Sequence, residues 1–290
     1  MHVALVVNPV SGTKQGERIA AHAERALREH GHDVVRMAGH DGPSTRAALT
    51  AAAGSYDTVV VVGGDGALHG VLPLLADSDL ALGLLPAGTG NDTARALGLP
   101  QDEGAALQVV LEGHTRPVDL ARTSLGDVAT VVASGFDSKV NERANAMRWP
   151  RGPMRYNLAI VAELRAFSPL PFEIELDGRT IQREAMLVAV GNGPSFGGGL
   201  RIAEGASIDD GLLDVCVINP VSKARLVRVF PRLYRGTHVD LPEFERHLVR
   251  NVRLSAPDVV AYGDGERLGP LPLEVSVRPG ALRVLVAPGP

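Results

Sequence analysis

Short apolar runs alternate with helix-like spacing over residues 3–111. The runs Val3–Val7, Val59–Val62 and Leu80–Leu85 contain no polar residue, which is typical of strands buried on both faces of a parallel sheet. Asp33–Met37 predicts a further strand. Helical spacing bounded by glycine or proline predicts helices over Arg18–His30, Pro43–Ala53, Ala67–Ala76 and Gln101–Leu111. This order predicts an α/β fold with an N-terminal Rossmann-like, three-layer nucleotide domain.

The pattern changes near Arg122, after which strand-like runs dominate. The dipeptide Asp177-Gly178 between alternating runs is a hairpin signal. Two helical segments interrupt the strands, at about residues 138–166 and 222–235. We therefore predict an α/β domain over residues 1–122. An antiparallel, β-sandwich-like domain is predicted over residues 123–290, and its last strand could return to the first domain.

Composition restricts the partners and the compartment. Of 290 residues, 29 are Lys or Arg and 33 are Asp or Glu, so a net charge of −4 offers no general attraction to nucleic acid. The single cysteine, Cys216, cannot form an internal disulfide and fits a reducing compartment. We see no signal peptide, and no apolar stretch approaches the roughly 18 residues of a membrane span. We expect a cytoplasmic protein that contacts the inner face of a membrane only peripherally.

Glycine-rich polar loops follow three of the predicted strands, at Asn8–Gly16, Gly63–Gly66 and Pro86–Thr93. The carboxyl ends of parallel strands meet at one edge of the sheet, where ligands bind. Glycines there permit positive φ and close ligand approach, and helix N-termini favour anions. Asp65 in such a turn suits a Mg²⁺ ion that bridges it to phosphate. We predict a nucleotide site without the P-loop pattern, although a plain turn with a solvated Asp65 and a solvated Lys14 stays open.

The second domain carries three further polar stretches. Gly191–Gly199 is unusually rich in glycine, and Asp209–Asp214 contains carboxylates that could bind a divalent cation. The Gly263–Glu266 segment joins two apolar strands, and a hairpin turn alone requires Asp-Gly but not Glu266. A wide loop, an acidic turn and a simple hairpin are the alternative interpretations of these stretches.

Together, these motifs resemble those of the bacterial lipid kinases in the diacylglycerol kinase and sphingosine kinase superfamily. The similar segments are Asn8–Gly12, Gly63–Gly66, Gly88–Asp92, Gly191–Asp214 and Gly263–Glu266, in the family's order and over nearly the whole chain. The Gly-Gly-Asp-Gly turn alone is shared with NAD kinases and phosphofructokinases, but the Gly-Thr-Gly-Asn-Asp motif favours the lipid branch. The resemblance implies the fold shared by NAD kinase and diacylglycerol kinase.

The resemblance also implies roles for individual residues. Asp65 would act on Mg²⁺-bound phosphates of ATP, and Glu266 would take the proton from a lipid hydroxyl in the cleft between the domains. The implied nucleotide contacts are Asn8, Ser11, Gly63, Gly64, Gly66, Ala67, Leu68, His69, Thr89, Gly90 and Asn91. The implied site-organising residues are Lys14, Asp92 and Asp119. A structural Mg²⁺ site is implied at Ser207, Asp210 and Leu212.

Two departures from the family pattern keep other functions open. Ala67, His69 and Gly70 stand where the family usually has a hydroxyl, an amide and a carboxylate, and residues 36–40 lack a usual threonine. We expect an ATP- and Mg²⁺-dependent kinase that acts on diacylglycerol or a related lipid in phospholipid metabolism. The alternatives are a catalytically weak regulatory protein that binds nucleotide or lipid, and an NAD kinase-like enzyme with a soluble acceptor.

The expected partners are a lipid substrate and a membrane surface, with a homodimer left open and no nucleic acid. Arg225, Arg228, Arg232 and Arg235 recur at helical steps, so they would form one basic stripe that could lie on anionic lipid or face solvent. The segment Met147–Phe167 could line a crevice for an acyl chain, or it could belong to the core of its domain.

Overall fold

The chain divides into two compact units. A computed structural model describes residues 1–7, 14–37, 41–88, 90–147, 149, 158–159, 162–163 and 168–288. Unit 1 comprises Met1–Leu120, Ile208–Gly211 and Arg278–Pro290, and unit 2 comprises Ala121–Ser207 and Leu212–Val277. In the part of the chain that is described, no helix is both long and apolar enough to cross a membrane.

Unit 1 contains a parallel sheet with helices between its strands. Its strands are β1 (His2–Val7), β2 (Asp33–Met37), β3 (Thr58–Gly63), β4 (Ala81–Pro86), the first part of β5 (Thr115–Thr123) and the last part of β16 (Leu273–Leu285). Its helices are α1 (Lys14–Glu29), α2 (Gly42–Ala51), α3 (Asp65–Leu75), α4 (Asp92–Ala96) and α5 (Glu103–Glu112). The strand order is β2-β1-β3-β4-β16, and each neighbouring pair is parallel.

The core of unit 1 explains this arrangement. Every residue of β3 is buried, so the run of valines packs on both faces of the sheet, as expected for a central parallel strand. The apolar face of α1 contributes Ile19, Ala23 and Leu27 to the same core. α3 begins at Asp65, two residues before the predicted start, because Gly64 is its extended N-cap and a carboxylate suits the first turn.

Among its described residues, unit 2 contains antiparallel sheets and two long helices. Its further strands are β6 (Gly126–Val128), β7 (Val131–Gly135), β8 (Leu170–Leu176), β9 (Arg179–Ala185), β10 (Leu187–Gly191), β11 (Leu213–Ile218), β12 (Phe244–Val249), β13 (Asn251–Ser255), β14 (Val260–Gly263) and β15 (Glu266–Pro270). Its helices are α6 (Phe136–Ala146) and α7 (Lys223–Arg235). One sheet has the order β12-β11-β10-β7-β14-β15, and the other continues from the first part of β16 through β13 and β8 to β9.

The two sheets of unit 2 pack face to face. Alternate residues of β10 point to opposite sides: Val188 and Val190 join the core between the sheets, where Phe172 and Ile174 of β8 lie. Leu187 and Ala189 point the other way and join a second core. That core is completed by the loop after β10 and by α7, so the six-stranded sheet is covered on both faces.

Candidate active site

Two glycine loops of unit 1 lie in direct contact. A Cβ atom added to Gly88 would lie 2.6 Å from the Cα atom of Gly64, and the Ala87 N–H donates to the Gly63 carbonyl over 3.0 Å. Gly64 itself has φ −105°, and neither Gly63 nor Gly66 has a positive φ. The turn therefore does not use the positive φ that its glycines permit. The close approach of the two loops instead requires glycine at Gly64 and Gly88.

The Asp65 carboxylate joins the two loops. Its oxygens accept hydrogen bonds from the backbone N–H groups of Asp92, at 3.0 Å, and Thr93, at 2.9 Å. Asp65 therefore caps α4, a role for which the sequence suggests Asn91 or Asp92. Asn91 has the left-handed φ of +54°, and its side chain bonds Gly88 instead, accepting from the N–H and donating to the carbonyl.

The other predicted nucleotide contacts lie around this junction or outside the described residues. Gly66 is exposed and both Ala67 and His69 are half-buried, whereas the side chain of Leu68 is in the core, so Leu68 could contact a ligand only through its backbone. A Cβ atom at Gly90 would lie 2.8 Å from Asp65 Oδ2. Asn8, Ser11 and Thr89 lie outside the described residues, and Lys14 is the first residue of α1.

Asp119 organises a separate turn within unit 1. Its buried carboxylate accepts from the N–H groups of Gly211, at 2.7 Å, and Gly280, at 2.8 Å. Its own N–H donates to the Ile208 carbonyl over 2.7 Å. The turn that these bonds fix contains Asp210, whose side chain is exposed. Asp119 therefore holds in place a carboxylate predicted to bind Mg²⁺.

The other predicted organising and metal residues are placed as follows. Asp92 is buried and accepts from Arg95 over 2.6 Å. Ser207 is exposed and Leu212 is half-buried. Among the residues that the structure describes, no group of three or more His, Cys, Asp or Glu side chains could hold a metal ion. A Mg²⁺ ion at this turn would thus depend on one carboxylate with backbone carbonyls, which are oxygen donors of the type Mg²⁺ and Ca²⁺ accept.

Glu266 lies at the start of β15, directly after a tight hairpin turn. Asp264 and Gly265 have φ of +51° and +84°, the two positive values that define a type I′ turn. Glu266 is exposed and pairs with Gly263 across the hairpin. The turn therefore presents a carboxylate to solvent on a rigid two-stranded support.

Asp264 anchors this hairpin, a role that the sequence interpretation missed. Its buried carboxylate accepts from the Ala129 N–H at 2.7 Å, from the Thr130 N–H at 2.8 Å and from the Thr130 hydroxyl at 2.6 Å. Asp-Gly at a hairpin turn is explained by turn chemistry alone, so nothing in the local pattern marks this residue. Its partners lie more than 130 residues earlier in the chain.

A polar cluster supports the other side of the hairpin. The Tyr262 hydroxyl donates to Glu142 over 2.8 Å, and Arg267 donates to the same carboxylate over 2.9 Å. The hydrogen bond from Tyr262 is the main cause that lowers the pKa of Glu142. Burial, followed by the hydrogen bond to Glu142, raises the pKa of Tyr262 to about 12. These bonds attach both strands of the hairpin to α6.

An apolar pocket lies in unit 2 on the face of the six-stranded sheet that α7 covers. Its lining includes Val140, Leu187, Phe196, Leu226, Phe230, Leu233 and Tyr234. Among the described lining residues, Asp137 is the only charged one. The segment Met147–Phe167, predicted to line an acyl-chain crevice, lies largely outside the described residues, and Trp149 within it is 78% exposed.

Known families and relatives match the chain over most of its length. The family model of the diacylglycerol kinase catalytic domain matches residues 2–123, and that of the YegS C-terminal NAD kinase beta sandwich-like domain matches residues 130–286. A diacylglycerol kinase of Mycobacterium tuberculosis is 43% identical, and the alignment covers 98% of this chain and 94% of that protein. The chain belongs to the diacylglycerol kinase family. This confirms the predicted family and the predicted class of phosphotransferase with an alcohol acceptor.

Other members and neighbours agree with this assignment. The diacylglycerol kinase of Bacillus subtilis is 29% identical over 93% of this chain and 91% of its own length. A crystal structure of a diacylglycerol kinase from Bacillus anthracis matches with a TM-score of 0.74 at 20% identity, covering 99% of this chain and 97% of that one. An NAD kinase from Archaeoglobus fulgidus in complex with ATP matches with a TM-score of 0.56 at 13% identity, covering 99% and 94%. The two structural matches confirm the predicted fold class.

Proposed function

We propose that this member of the diacylglycerol kinase family is an ATP- and Mg²⁺-dependent lipid kinase. It transfers the γ-phosphoryl group of ATP to a hydroxyl of diacylglycerol or a closely related lipid. The nearly full-length similarity to the Mycobacterium tuberculosis diacylglycerol kinase carries this proposal. The two glycine loops of unit 1 and the apolar pocket of unit 2 support it.

The junction of the glycine loops fits a nucleotide. The close approach of Gly64 and Gly88 leaves backbone rather than side chains at the carboxyl end of β3, where phosphates can approach N–H groups. The Thr93 hydroxyl is buried beside this junction, and it has no hydrogen-bond partner among the described residues. A phosphate or sugar oxygen would satisfy it.

Asp65 can both hold the loops and act on the bound nucleotide. An ionised carboxylate has about four acceptor positions, and the N–H groups of Asp92 and Thr93 use two of them. The remaining positions can bind a cation or a water molecule. Bound Mg²⁺ would neutralise phosphate charge, which is most of what phosphoryl transfer demands of a protein. Ser207, Asp210 and Leu212 remain the predicted residues for a structural ion.

The acceptor would be deprotonated by Glu266. This carboxylate is exposed to solvent, and Asp264 and the Glu142 cluster fix the hairpin that carries it. The apolar pocket provides an environment for an acyl chain, since lipid sites are mainly apolar with few polar groups. The pocket, unlike the base, is not required by a kinase whose acceptor is a soluble nucleotide.

The departure at Gly70 has a structural reason. A Cβ atom at Gly70 would lie 3.2 Å from the Cα atom of Gly42, and the Gly70 carbonyl accepts from Arg46 over 2.7 Å. The close packing of α2 on α3 therefore leaves little room at this position for the carboxylate side chain that the family usually has here. We infer that this substitution serves helix packing and leaves the phosphate-facing loops unchanged.

The test is a partition assay with γ-labelled ATP, Mg²⁺ and a mixed lipid extract. We expect label in the organic phase, and mass spectrometry of the product would name the lipid. Label found only in the aqueous phase, on NAD or a sugar, would refute the lipid acceptor. A wild-type protein without turnover that is nevertheless stabilised by nucleotide would support the regulatory alternative.

Variants at the two carboxylates test the assigned roles. Glu266→Gln should reduce kcat by about 100-fold or more, the usual contribution of a general base, and Asp65→Asn should also reduce turnover by orders of magnitude. Glu274→Gln is a matched control, because Glu274 is another exposed carboxylate of unit 2, with a side chain 78% exposed. A folded Glu266→Gln variant as active as Glu274→Gln would exclude Glu266 as the base.

A further inference from the structure

Helix α7 concentrates positive charge in an acidic protein. Lys223, Arg225, Arg228, Arg232 and Arg235 lie within its length, and the helix contains no Asp or Glu. The whole chain, in contrast, has a net charge of −4. Ser222 caps the helix through its hydroxyl and Gly236 ends it with φ +70°, so these charges lie on a helix with defined ends.

The structure separates the four predicted arginines into two groups. Arg225 pairs with Glu243 over 3.0 Å, and Arg232 lies 3.4 Å from the Thr237 hydroxyl. Arg228 and Arg235 are exposed, and neither forms an ion pair or hydrogen bond with any residue that the structure describes. The two charges available to a partner are therefore those of Arg228 and Arg235.

Apolar side chains share the outer face with these arginines. Val227 is 59% exposed and Tyr234 is 48% exposed, and Pro231 lies between them at helical spacing. We call Val227, Arg228, Pro231, Tyr234 and Arg235 the outer face of α7. A face that combines exposed apolar groups, a tyrosine and unpaired cations matches the interfacial region of an anionic bilayer. A surface that offers only acidic groups would match the cations but not the exposed apolar side chains.

The inner face of the same helix closes the apolar pocket. Leu226, Phe230 and Leu233 line that pocket from the side of the helix opposite to Arg228, and Tyr234, at the edge of the outer face, also contributes to the lining. A bilayer in contact with the outer face would thus lie one helix away from the pocket. A lipid substrate must move from the membrane into the apolar site. Docking through the outer face of α7 would shorten the distance that the lipid has to travel.

We propose that the outer face of α7 docks on an anionic lipid bilayer and so positions the apolar pocket next to its lipid. The docking itself is independent of catalysis, but the identity of that lipid rests on the proposed function. The expected partner is a membrane surface with anionic phospholipid headgroups. Binding should weaken with salt, since exposed charges are screened within about 8 Å at physiological ionic strength.

The test is flotation of the full chain with phosphatidylcholine vesicles, with and without phosphatidylglycerol, in the absence of ATP. Arg228→Gln/Arg235→Gln should weaken binding to the anionic vesicles roughly 30-fold, given the usual contribution of two basic residues near an anionic leaflet. The control Arg25→Gln/Arg179→Gln removes the same charge from two other exposed arginines and should change binding much less. Circular dichroism would verify that both variants are folded.

Three outcomes would overturn the proposal. Equal losses in both variants would show attraction by bulk charge, and unchanged binding in the α7 variant would exclude this face. A change in sedimentation velocity instead of vesicle binding would identify the face as a contact between copies of the chain. Activity on dispersed short-chain diacylglycerol, measured separately, distinguishes these failures from failure of the proposed kinase function.

Discussion

Replacing Asp264 by Asn should separate the support of the hairpin from its chemistry. The Asp264 carboxylate accepts three hydrogen bonds of 2.6 to 2.8 Å in a buried site. An amide oxygen can accept at most two of them, and the amide nitrogen would then face a backbone N–H donor. A charge-assisted bond contributes about 1.5–3 kcal/mol, and an unsatisfied buried donor costs about 1–3 kcal/mol. We therefore expect Asp264→Asn to destabilise unit 2 by about 2–4 kcal/mol.

A graded series makes this estimate refutable. Thr130→Val removes only the hydroxyl bond to Asp264 and should cost about 1 kcal/mol. Glu266→Gln changes an exposed side chain and should stay within about 0.5 kcal/mol of the wild type. Urea unfolding followed by circular dichroism gives the free energy of unfolding, and hydrogen exchange at Ala129 and Thr130 reports local opening. An Asp264→Asn variant as stable and as protected as Glu266→Gln would refute the role of the anchor.

Two further predictions concern the loop junction and the cluster beside the hairpin. Gly88→Ala should abolish most of the thermal stabilisation by ATP, because its methyl group would lie 2.6 Å from the Cα atom of Gly64 and separate the loops. Differential scanning fluorimetry measures this stabilisation. Gly104→Ala is the control, because Gly104 lies in a helix and its added methyl group would make only ordinary contacts. Tyr262 has a pKa raised to about 12, so its neutral form stabilises the fold fully below pH about 10, and this stabilisation is lost as the pH rises through 12. Burial also raises the pKa of Tyr56, so the absorbance titration should show late-ionising tyrosines, and Tyr262→Phe should remove the one that ionises near pH 12. Ionisation of all tyrosines together near pH 10 would exclude the bond to Glu142.

The strands that could be predicted are those whose burial is visible in the sequence. β1 and β3 are continuous apolar runs, and both were expected within one or two residues. The hairpin signal at Asp177-Gly178 predicts a strand on each side, and β8 and β9 confirm it. β12 was not expected, because its charged residues alternate with few apolar ones and only pairing with β11 reveals it. For the region of β16 the sequence predicts two strands, Leu273–Val277 and Ala281–Val286, but the two parts, which pair with different partners, continue as one strand.

The candidate site was predictable where a motif is local and was not where contacts are distant in sequence. The glycine loops and Glu266 follow from short motifs. The bonds of Asp65 to the next loop and of Asp264 to Thr130 cross 27 and 134 residues, respectively, and no periodicity encodes them. The basic stripe on α7 was predicted from its spacing, but Glu243, the partner of Arg225, lies beyond the helix and divides the stripe.

The bonds of Asp65 also affect how the two glycine loops can evolve. The Asp65 carboxylate belongs to α3 but caps the N-terminus of α4. A change in the length or sequence of either glycine loop therefore alters the position of the other loop. Substitutions at Asp65 and Gly88 should therefore be strongly non-additive in a double-mutant cycle, as residues in contact are. A loop transplanted singly from a relative would fail where the same pair of loops, exchanged together, would succeed.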